Sequence, residues 1–372
     1  MKFAFSDEQE ELRSSVRRFL GDKSPMAEVR RLMETTAGYD PAVWAQMGSQ
    51  LGLQALPIPE EDGGAGFSWV EVVAVAEEMG RALLCAPYLA TVGLAVAALL
   101  TSGDDSAGKE LLPAIASGQA VATLAFTEDD GRPDLGQMAT VTRPSGDGWV
   151  VDGHKSFVLD GHTADLILVA ATTDSGGLSL LAVEGGAPGL TRTPLPTMDQ
   201  TRKQARLQMD GTPARLVGVP GQAGPGLARA LDLAAVVLAA EQVGGAARCL
   251  DMAVEYAKSR VQFGRPIGSF QAIKHKCADM LLEVESARSA AYYAGWAAAE
   301  GSDELQTVAS LAKAYCSDAY YHAAAENIQI HGGIGFTWEH DAHLYFKRAK
   351  SSQVLLGDPS YHRELLAQRI GL

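Results

Sequence analysis

The chain has 372 residues, of which 47% are hydrophobic and 20% are charged, as is typical of a folded protein with more than one core. Its formal net charge of −14 argues against a surface for nucleic acid or anionic membrane, because both require clustered basic residues. We therefore expect neither nucleic acid nor membrane among its partners. A few local arginines could still bind an anionic small molecule.

Targeting signals and cysteines point to the cytoplasm. Asp7, Glu8 and Glu10 occupy the place where a signal peptide would need apolar residues. The longest apolar run, Leu89 to Leu100, is too short to span a bilayer. The four cysteines stand in apolar, helix-like contexts without metal-ligand spacing, which predicts small buried residues in a reducing compartment: Cys85, Cys249, Cys277 and Cys316.

The first third of the chain reads as helical. Ser6 and Gln9 have the spacing of a capping box, which predicts a helix that starts beside them. Proline and glycine clusters then separate further periodic segments. We predict an N-terminal helical domain over residues 1–120, with helices near 41–51, 68–84, 87–101 and 105–118.

The pattern changes to short strands near residue 121. Alternating residues flank a turn at Ser145–Gly148, and two apolar runs follow at Leu166–Ala171 and Leu178–Val183. Strands at roughly ten-residue spacing are typical of an antiparallel sheet or small barrel. We predict a middle antiparallel β domain over residues 121–221.

Long helices return after Pro225. Periodic segments near 225–259, from Phe270 onward, at 303–331 and at 341–349 predict a C-terminal four-helix bundle over residues 222–372. The predicted fold class is therefore α+β and multidomain, in the order helices, strands, helices.

The connector at residues 260–271 carries more than a turn requires. A simple helix–helix connection would explain its two glycines and its proline. It would not explain Arg260 and Gln262 ahead of the turn. A guanidinium at this place can pair bidentately with a diphosphate, so the segment is a candidate anion site.

A second glycine-rich segment spans residues 329–340. Its three glycines leave backbone N–H groups unshielded, which suits an anion, although such a glycine cluster is more often just a turn. His340 and His343 are spaced for one helical face but lack a carboxylate partner pattern, and we predict no metal site.

Five segments, in order and at matching spacings, together resemble the flavin-dependent acyl-CoA dehydrogenase family: 59–66, 127–128, 153–161, 260–271 and 329–335. The resemblance implies three domains as above, a tetramer, and FAD at a subunit interface. In that family the flavin ring lies against the middle domain of one subunit, and the ADP half lies on the C-terminal segments of its neighbour.

The resemblance assigns residues to both halves of the cofactor. The ADP half would contact seven: Arg260, Gln262, Phe263, Gln271, Gln329, Gly332 and Gly333. The ring half would contact Thr127 and Phe157. It also implies the reaction, α,β-dehydrogenation of an acyl-CoA thioester, in which a carboxylate removes the α-proton and an electron-transfer acceptor reoxidises the flavin.

The chain departs from the family where the chemistry occurs. Leu356 stands where most members carry the catalytic glutamate, and Ala234 and Ala235 stand where a minority carry it. Leu159 replaces a threonine that offers its hydroxyl to the flavin. In the loop at 127–134, larger residues replace small ones. The sequence thus predicts an intact ADP half, a degraded ring half and no obvious base.

Two acids are the remaining candidates for the base. Asp358 lies two residues after Leu356, and Glu241 lies inside an apolar helical segment. A carboxylate in such a segment is costly unless it is paired, so Glu241 could instead be the buried partner of an arginine such as Arg248.

Three functions remain open from the sequence. The chain could be one subunit of a heteromeric acyl-CoA dehydrogenase whose homologous partner supplies the base and the ring contacts. It could be a homotetrameric dehydrogenase that uses Glu241 or Asp358. It could also be a non-catalytic scaffold, although a scaffold has no need of Arg260 and Gln262.

Overall fold

A computed structural model describes residues 5–136, 138–174 and 176–372. The chain divides into two compact units. We call the first the helical unit; it comprises the described residues up to Arg30 together with Trp69–Leu84 and Ala235–Leu372. The second, the sheet unit, comprises Arg31–Ser68 and Cys85–Ala234. Each unit is described by itself.

The helices of the helical unit are α1 (Asp7–Lys23), α4 (Trp69–Arg81), most of α7 (Gly224–Ser259), α8 (Gln271–Ala299), α9 (Leu305–His331), α10 (Ala342–Val354) and α11 (Pro359–Arg369). The predicted capping box is confirmed at α1, where Ser6 and Gln9 bond to each other's backbone. Helix α2 (Met26–Met33) straddles the boundary between the units.

Helices α4 and α7 pack with their backbones in contact. A Cβ on Gly244 would lie 1.8 Å from the carbonyl oxygen of Glu77, and one on Gly80 would lie 1.9 Å from that of Glu241. Only glycine permits this approach at Gly80 and Gly244, whereas the neighbouring Gly245 instead faces the ring of Tyr320 on α9, 2.4 Å from where its Cβ would lie. The crossing fixes the stretch of α7 that carries Glu241.

The sheet unit contains α3 (Pro41–Ser49), a π-helical segment (Leu89–Val96) that runs into α5 (Ala97–Leu100), α6 (Asp105–Ala116), and the strands β1 (Ala122–Ala125), β2 (Val141–Ser145), β3 (Gly148–Leu159), β4 (Leu166–Thr173), β5 (Leu178–Glu184), β6 (Leu190–Pro194) and β7 (Gln204–Val217). All seven strands form one sheet. The predicted turn is confirmed, since Ser145 pairs with Gly148 in the β2–β3 hairpin.

The predicted fold class is confirmed with two differences in detail. The sheet is mixed rather than purely antiparallel, because β4 runs parallel to β1 and to β2. A crossover between distant strands leaves no local signal in the sequence. The C-terminal helices number five rather than four, because α11 follows α10. The three domain boundaries remain a prediction.

One helix passes a length and hydropathy test for a membrane span, but its setting is that of a core helix. Helix α7 contains an apolar window that is 94% buried inside the described structure. Three of the four cysteines are likewise buried and Cys277 is half-buried, in line with their predicted role as core residues.

Candidate functional site

The segment after α7 in the helical unit is an exposed hairpin. Strand β8 (Val261–Gln262) pairs with β9 (Arg265–Pro266), and Phe263 at the tip has a positive φ of 54° and is 91% exposed. The ring of Phe270 packs edge-on against the ring of Phe263, with ring centroids 6.1 Å apart. The Arg265 guanidinium lies over the ring of Phe270, 4.1 Å from its centroid. Gln271 opens α8 and is exposed. An aromatic ring projecting this far from a surface is typical of a contact site.

The second glycine-rich segment is a turn at the end of α9. Gln329 is exposed in the last helical turn, and Gly332 leaves the helix at φ 65° and ψ −142°. A Cβ added at Gly332 or at Gly333 would meet no heavy atom within 4 Å. Both glycines therefore face open space, and their backbone is accessible to a ligand.

The structure brings these two segments together. The ring of Tyr256, in the last turns of α7, stacks on the ring of His331 with centroids 4.3 Å apart. The backbone N–H of Arg260 donates to the carbonyl of Tyr256 at 2.8 Å, and His331 directly precedes Gly332. The hairpin with its arginine and the glycine turn are thus neighbours, although about 70 residues separate them in the chain.

Arg260 is exposed, and no carboxylate of the described residues lies within salt-bridge distance of it. The same holds for Arg265 within the described ranges. In a chain of net charge −14, two such guanidinium groups on one hairpin form a local cationic site. They suit a ligand that brings its own negative charge.

In the sheet unit, the predicted ring-contact residues also lie together. The backbone N–H of Ser156 donates to the carbonyl of Thr127 at 2.9 Å, which ties the loop after β1 to strand β3. Phe157 lies at a bulge of β3, with a positive φ of 58° and 43% exposure. A Cβ on Gly131 would lie 3.6 Å from its ring.

A buried ion pair, which no local sequence pattern indicates, holds this loop. Lys155 is fully buried and its Nζ donates to Oε1 of Glu128 at 3.0 Å. Glu128 also accepts the backbone N–H groups of Ala139 and Thr140 at 2.8 and 2.9 Å. Partial burial opposes ionisation of Glu128, but these donors outweigh it and lower its pKa to about 2. The carboxylate is therefore structural.

Asp129 in the same loop is also engaged. It accepts a hydrogen bond from the Ser156 hydroxyl, and its Oδ2 lies 2.9 Å from Nε2 of His154 and 3.0 Å from Nη2 of Arg206. The hydrogen bond from the Ser156 hydroxyl is the main cause that lowers the pKa of Asp129, and the neighbouring His154 and Arg206 side chains lower it further. The place where small residues were expected is thus filled by a charged network.

Comparison with known proteins decides the family. The sequence matches the acyl-CoA dehydrogenase N-terminal domain over residues 6–119, the middle domain over 123–212 and the C-terminal domain over 227–371. It is 40% identical to acyl-CoA dehydrogenase IpdE2 of Mycobacterium tuberculosis, across 97% of this chain and 95% of that protein. The chain belongs to the acyl-CoA dehydrogenase family.

Solved structures agree with this assignment. The ChsE4–ChsE5 complex of Mycobacterium tuberculosis contains a chain that matches with a TM-score of 0.90 and 29% identity, covering 100% of this chain and 99% of that one. A chain of the Tcur3481–Tcur3483 steroid ACAD matches with a TM-score of 0.88 and 30% identity, covering 98% of each. The chain is therefore an acyl-CoA dehydrogenase, an oxidoreductase of CH–CH groups.

Glu241, the first candidate for the base of this acyl-CoA dehydrogenase, is a partner in a buried ion pair. Nη1 of Arg348 donates to its Oε1 at 2.8 Å, and Nη2 of the same guanidinium reaches the carbonyl of Leu84 at 3.4 Å. The prediction that Arg248 is this partner is wrong, because Nη1 of Arg248 lies 3.6 Å from Oε1 of Glu255 instead. Tertiary packing of α10 on α7, which spacing does not reveal, selects Arg348.

Asp358, the second candidate, is the N-cap of α11. Its side chain accepts the backbone N–H of Tyr361 at 2.8 Å, a geometry typical of helix caps. Asp358 itself is exposed to solvent. Ala234 and Ala235, at the minority position for the base, are both buried.

The turn that carries Leu356 is fixed by two residues that the sequence analysis missed. Nζ of the fully buried Lys313 donates to the carbonyls of Ser352, Gln353 and Gly357, at 3.2, 2.8 and 2.6 Å. Nε2 of His362 lies 3.0 Å from the carbonyl oxygen of Leu356. Leu356 itself has a positive φ of 60°. A leucine in this backbone region is disfavoured, so the surrounding contacts impose the turn.

Strained backbone marks the segments that carry the family resemblance. Among the described residues, five non-glycine residues have positive φ: Leu83, Phe157, Asp160, Phe263 and Leu356. Three of them lie in two of the segments that carry the resemblance, Phe157 and Asp160 in 153–161 and Phe263 in 260–271, and Leu356 lies in the turn where the family's glutamate is absent. Such strain concentrates at functional sites, which supports the choice of these segments.

Among the described residues, no group of three histidine, cysteine or acidic side chains could hold a metal ion. His340 and His343, the histidine pair noted in the sequence, are engaged by neighbours. Nδ1 of His340 accepts the backbone N–H of Ala342 at 3.1 Å, and His343 packs edge-on against Trp338 at 4.9 Å.

Proposed function

We propose that this chain is one subunit of a heteromeric, FAD-dependent acyl-CoA dehydrogenase, in which a homologous chain supplies the catalytic base and the contacts to the flavin ring. One observation carries the proposal: both candidate bases are already engaged, Glu241 by Arg348 and Asp358 by the start of α11. Leu356 stands at the usual place of the base and cannot accept a proton.

The residues of the helical unit fit the ADP half of the cofactor. Arg260 offers a guanidinium with no described carboxylate beside it, and Gly332 and Gly333 expose backbone with nothing packed where a Cβ would be. Gln262, Phe263, Gln271 and Gln329 lie on exposed backbone of the same two segments. These residues would hold the diphosphate and the adenosine.

The sheet unit offers a poorer fit to the flavin ring. Leu159 is 3% exposed and has no hydroxyl to offer a flavin, while its carbonyl accepts from Thr123. Thr127 and Phe157, which we assign to the ring, lie on segments joined by the hydrogen bond from Ser156 to Thr127, but the charged network around Asp129 occupies the loop next to them. Bound FAD supplies the electron acceptor for the substrate's β-hydride. The α-proton needs a base from elsewhere.

The similar proteins support a partner of the same family. The ChsE4–ChsE5 and Tcur3481–Tcur3483 proteins are named as two-component assemblies, and the latter is a steroid ACAD. By analogy with these proteins, we propose a bulky acyl-CoA as the substrate and a tetramer of two chain types as the assembly. We also propose an electron-transfer acceptor as a partner and a cytoplasmic location.

Two other functions fit less well. A homotetramer that uses Glu241 or Asp358 would require a carboxylate to leave the ion pair or the helix cap. A scaffold that binds no flavin would have no use for the exposed hairpin with Arg260.

Turnover tests the proposal directly. The chain is purified alone and after co-expression with a homologous acyl-CoA dehydrogenase chain encoded beside it, and both preparations are assayed with acyl-CoA thioesters and an artificial electron acceptor. We expect activity in the co-expressed preparation and none in the chain alone. Steady turnover by the chain alone would refute the proposal.

Glu241→Gln separates catalysis from ion pairing. We expect turnover of the folded co-expressed enzyme to stay within about tenfold, because an essential base contributes roughly 10²–10⁴-fold. The rate is measured per bound FAD, so that loss of folded protein does not count as loss of catalysis. A fall beyond roughly a thousandfold in a variant that still binds FAD would make Glu241 the base.

A further inference from the structure

The glycine turn at Gly332–Gly333 is open on its outer side, so the contacts that hold it must lie on the inner side. No heavy atom lies within 4 Å of the Cβ position of either glycine. On the inner side, the rings of His331 and His340 lie with centroids 4.3 Å apart, one on each side of the turn. The two histidines therefore bracket the segment that our proposed function assigns to the cofactor.

Tyr256 extends this pair into a stack of three rings. Its ring stacks on the ring of His331 with centroids 4.3 Å apart and an interplanar angle of 26°, while His340 is tilted by 48° against His331. We name Tyr256, His331 and His340 the ring column. Because Arg260 lies one helical turn beyond Tyr256, the column connects the arginine hairpin to the glycine turn.

Hydrogen bonds fix the protonation of both histidines. Nδ1 of His331 lies 2.8 Å from the carbonyl of Asn327, which can only accept, so this nitrogen carries a proton. Nδ1 of His340 lies 3.1 Å from the backbone N–H of Ala342, which can only donate, so this nitrogen is unprotonated. His340 must therefore be a neutral imidazole to keep its bond to the start of α10.

We propose that the ring column positions the glycine turn against the arginine hairpin, and that protonation of His340 releases the turn, so that retention of the cofactor diphosphate is lost at acid pH. This inference rests on the proposed function for its ligand. Its structural part, that the column holds the turn, stands independently of any ligand.

Burial of the column favours the neutral form of both histidines. Burial lowers the pKa of His331, and His340 beside it lowers it further, while the Asn327 carbonyl opposes this shift. Burial also lowers the pKa of His340, while the Asp341 carboxylate raises it and the Arg30 guanidinium lowers it. Asp341 and Arg30 form an ion pair with each other, with Nη2 of Arg30 2.7 Å from Oδ1 of Asp341. On α7 the column faces the phenol of Tyr256.

The sign of the pH effect follows from these contacts. A histidine whose pKa is lowered by folding stabilises the folded turn above its unfolded pKa of about 6.5, and this contribution falls as the pH drops below that value. A protonated His340 would also place a positive charge beside His331, 4.3 Å away in the ring column, and this charge, rather than the lost bond to the N–H of Ala342, would release the turn. The turn should loosen as the pH falls below the ordinary histidine pKa of about 6.5.

Two variants of one residue test the column. His340→Ala and His340→Phe both remove the acceptor of the Ala342 N–H, but only His340→Phe keeps a ring against His331. Hydrogen exchange of residues 332–341 is measured in the chain without cofactor, and FAD retention is measured in the co-expressed enzyme. His322→Ala on α9, whose ring instead lies 2.6 Å from Glu283, is the matched control.

We expect His340→Ala to speed exchange of the turn and weaken FAD retention by about tenfold, and His340→Phe to remain within about threefold of the wild type. Acid should loosen the turn of the wild type, but not that of His340→Phe. Unchanged exchange in His340→Ala would overturn the inference. Faster exchange in His340→Ala with unchanged FAD retention would show that the column holds a turn that no cofactor uses. Full FAD retention by an Arg260 variant would instead count against the proposed function itself.

Discussion

Arg260→Ala is expected to weaken FAD retention by on the order of tenfold to a hundredfold, because a hydrogen-bonded charge pair with a diphosphate contributes roughly 1.5–3 kcal/mol in a binding site. The fold should survive, since the side chain is exposed and alanine is a good helix former at the end of α7. The measurement is the ratio of flavin absorbance to protein after gel filtration, in the co-expressed enzyme.

Lys258→Ala is the control for this prediction. Lys258 lies two residues earlier in the last turn of α7, is also exposed, and loses the same charge on substitution. We expect its FAD content to match the wild type. If Arg260→Ala retains as much FAD as Lys258→Ala, the guanidinium does not bind the diphosphate.

Arg348→Met is expected to lower the free energy of unfolding by about 3–5 kcal/mol, because it removes the guanidinium from a buried carboxylate. The side chains of Arg348 and Glu241 are only 4% and 11% exposed, so water cannot replace the lost contact. The second bond of the guanidinium, to the carbonyl of Leu84, is lost as well. Denaturant unfolding followed by circular dichroism measures the change.

The double variant Glu241→Leu with Arg348→Met separates the cost of a buried charge from that of lost packing. Replacing both partners of a buried ion pair by apolar residues is often close to neutral, so the double variant should recover most of the lost stability. Equal instability of the single and double variants would mean that the pair contributes through packing alone.

Local patterns were sufficient to predict most elements. The capping box at Ser6, the hairpin turn at Ser145–Gly148 and the long periodic segment that became α7 all appear as predicted. These signals involve residues that are close in sequence, where side-chain spacing and turn chemistry determine the backbone. The parallel pairing of β1 with β4 has no such signal and was missed.

The candidate site could be predicted only in part for the same reason. Arg260 and Gly332 could be proposed from their own segments, but the Tyr256–His331 stack that joins those segments is a tertiary contact. The partner of Glu241 lies 107 residues away, so that Arg248, seven residues away, was the wrong choice. Lys313 was overlooked because an isolated lysine in an apolar helix gives no indication that it holds three carbonyls.

The ratio of FAD to protein chains tests the central claim most directly, since it counts which half-sites are complete. In a heteromer, only the sites that join the ADP side of this chain to the ring side of its partner are complete, so we predict about one FAD per two chains in the co-expressed enzyme and little or none in this chain alone. Analytical ultracentrifugation with detection at flavin and protein wavelengths gives the ratio for each assembly. One FAD per chain in an assembly of this chain alone would contradict the account.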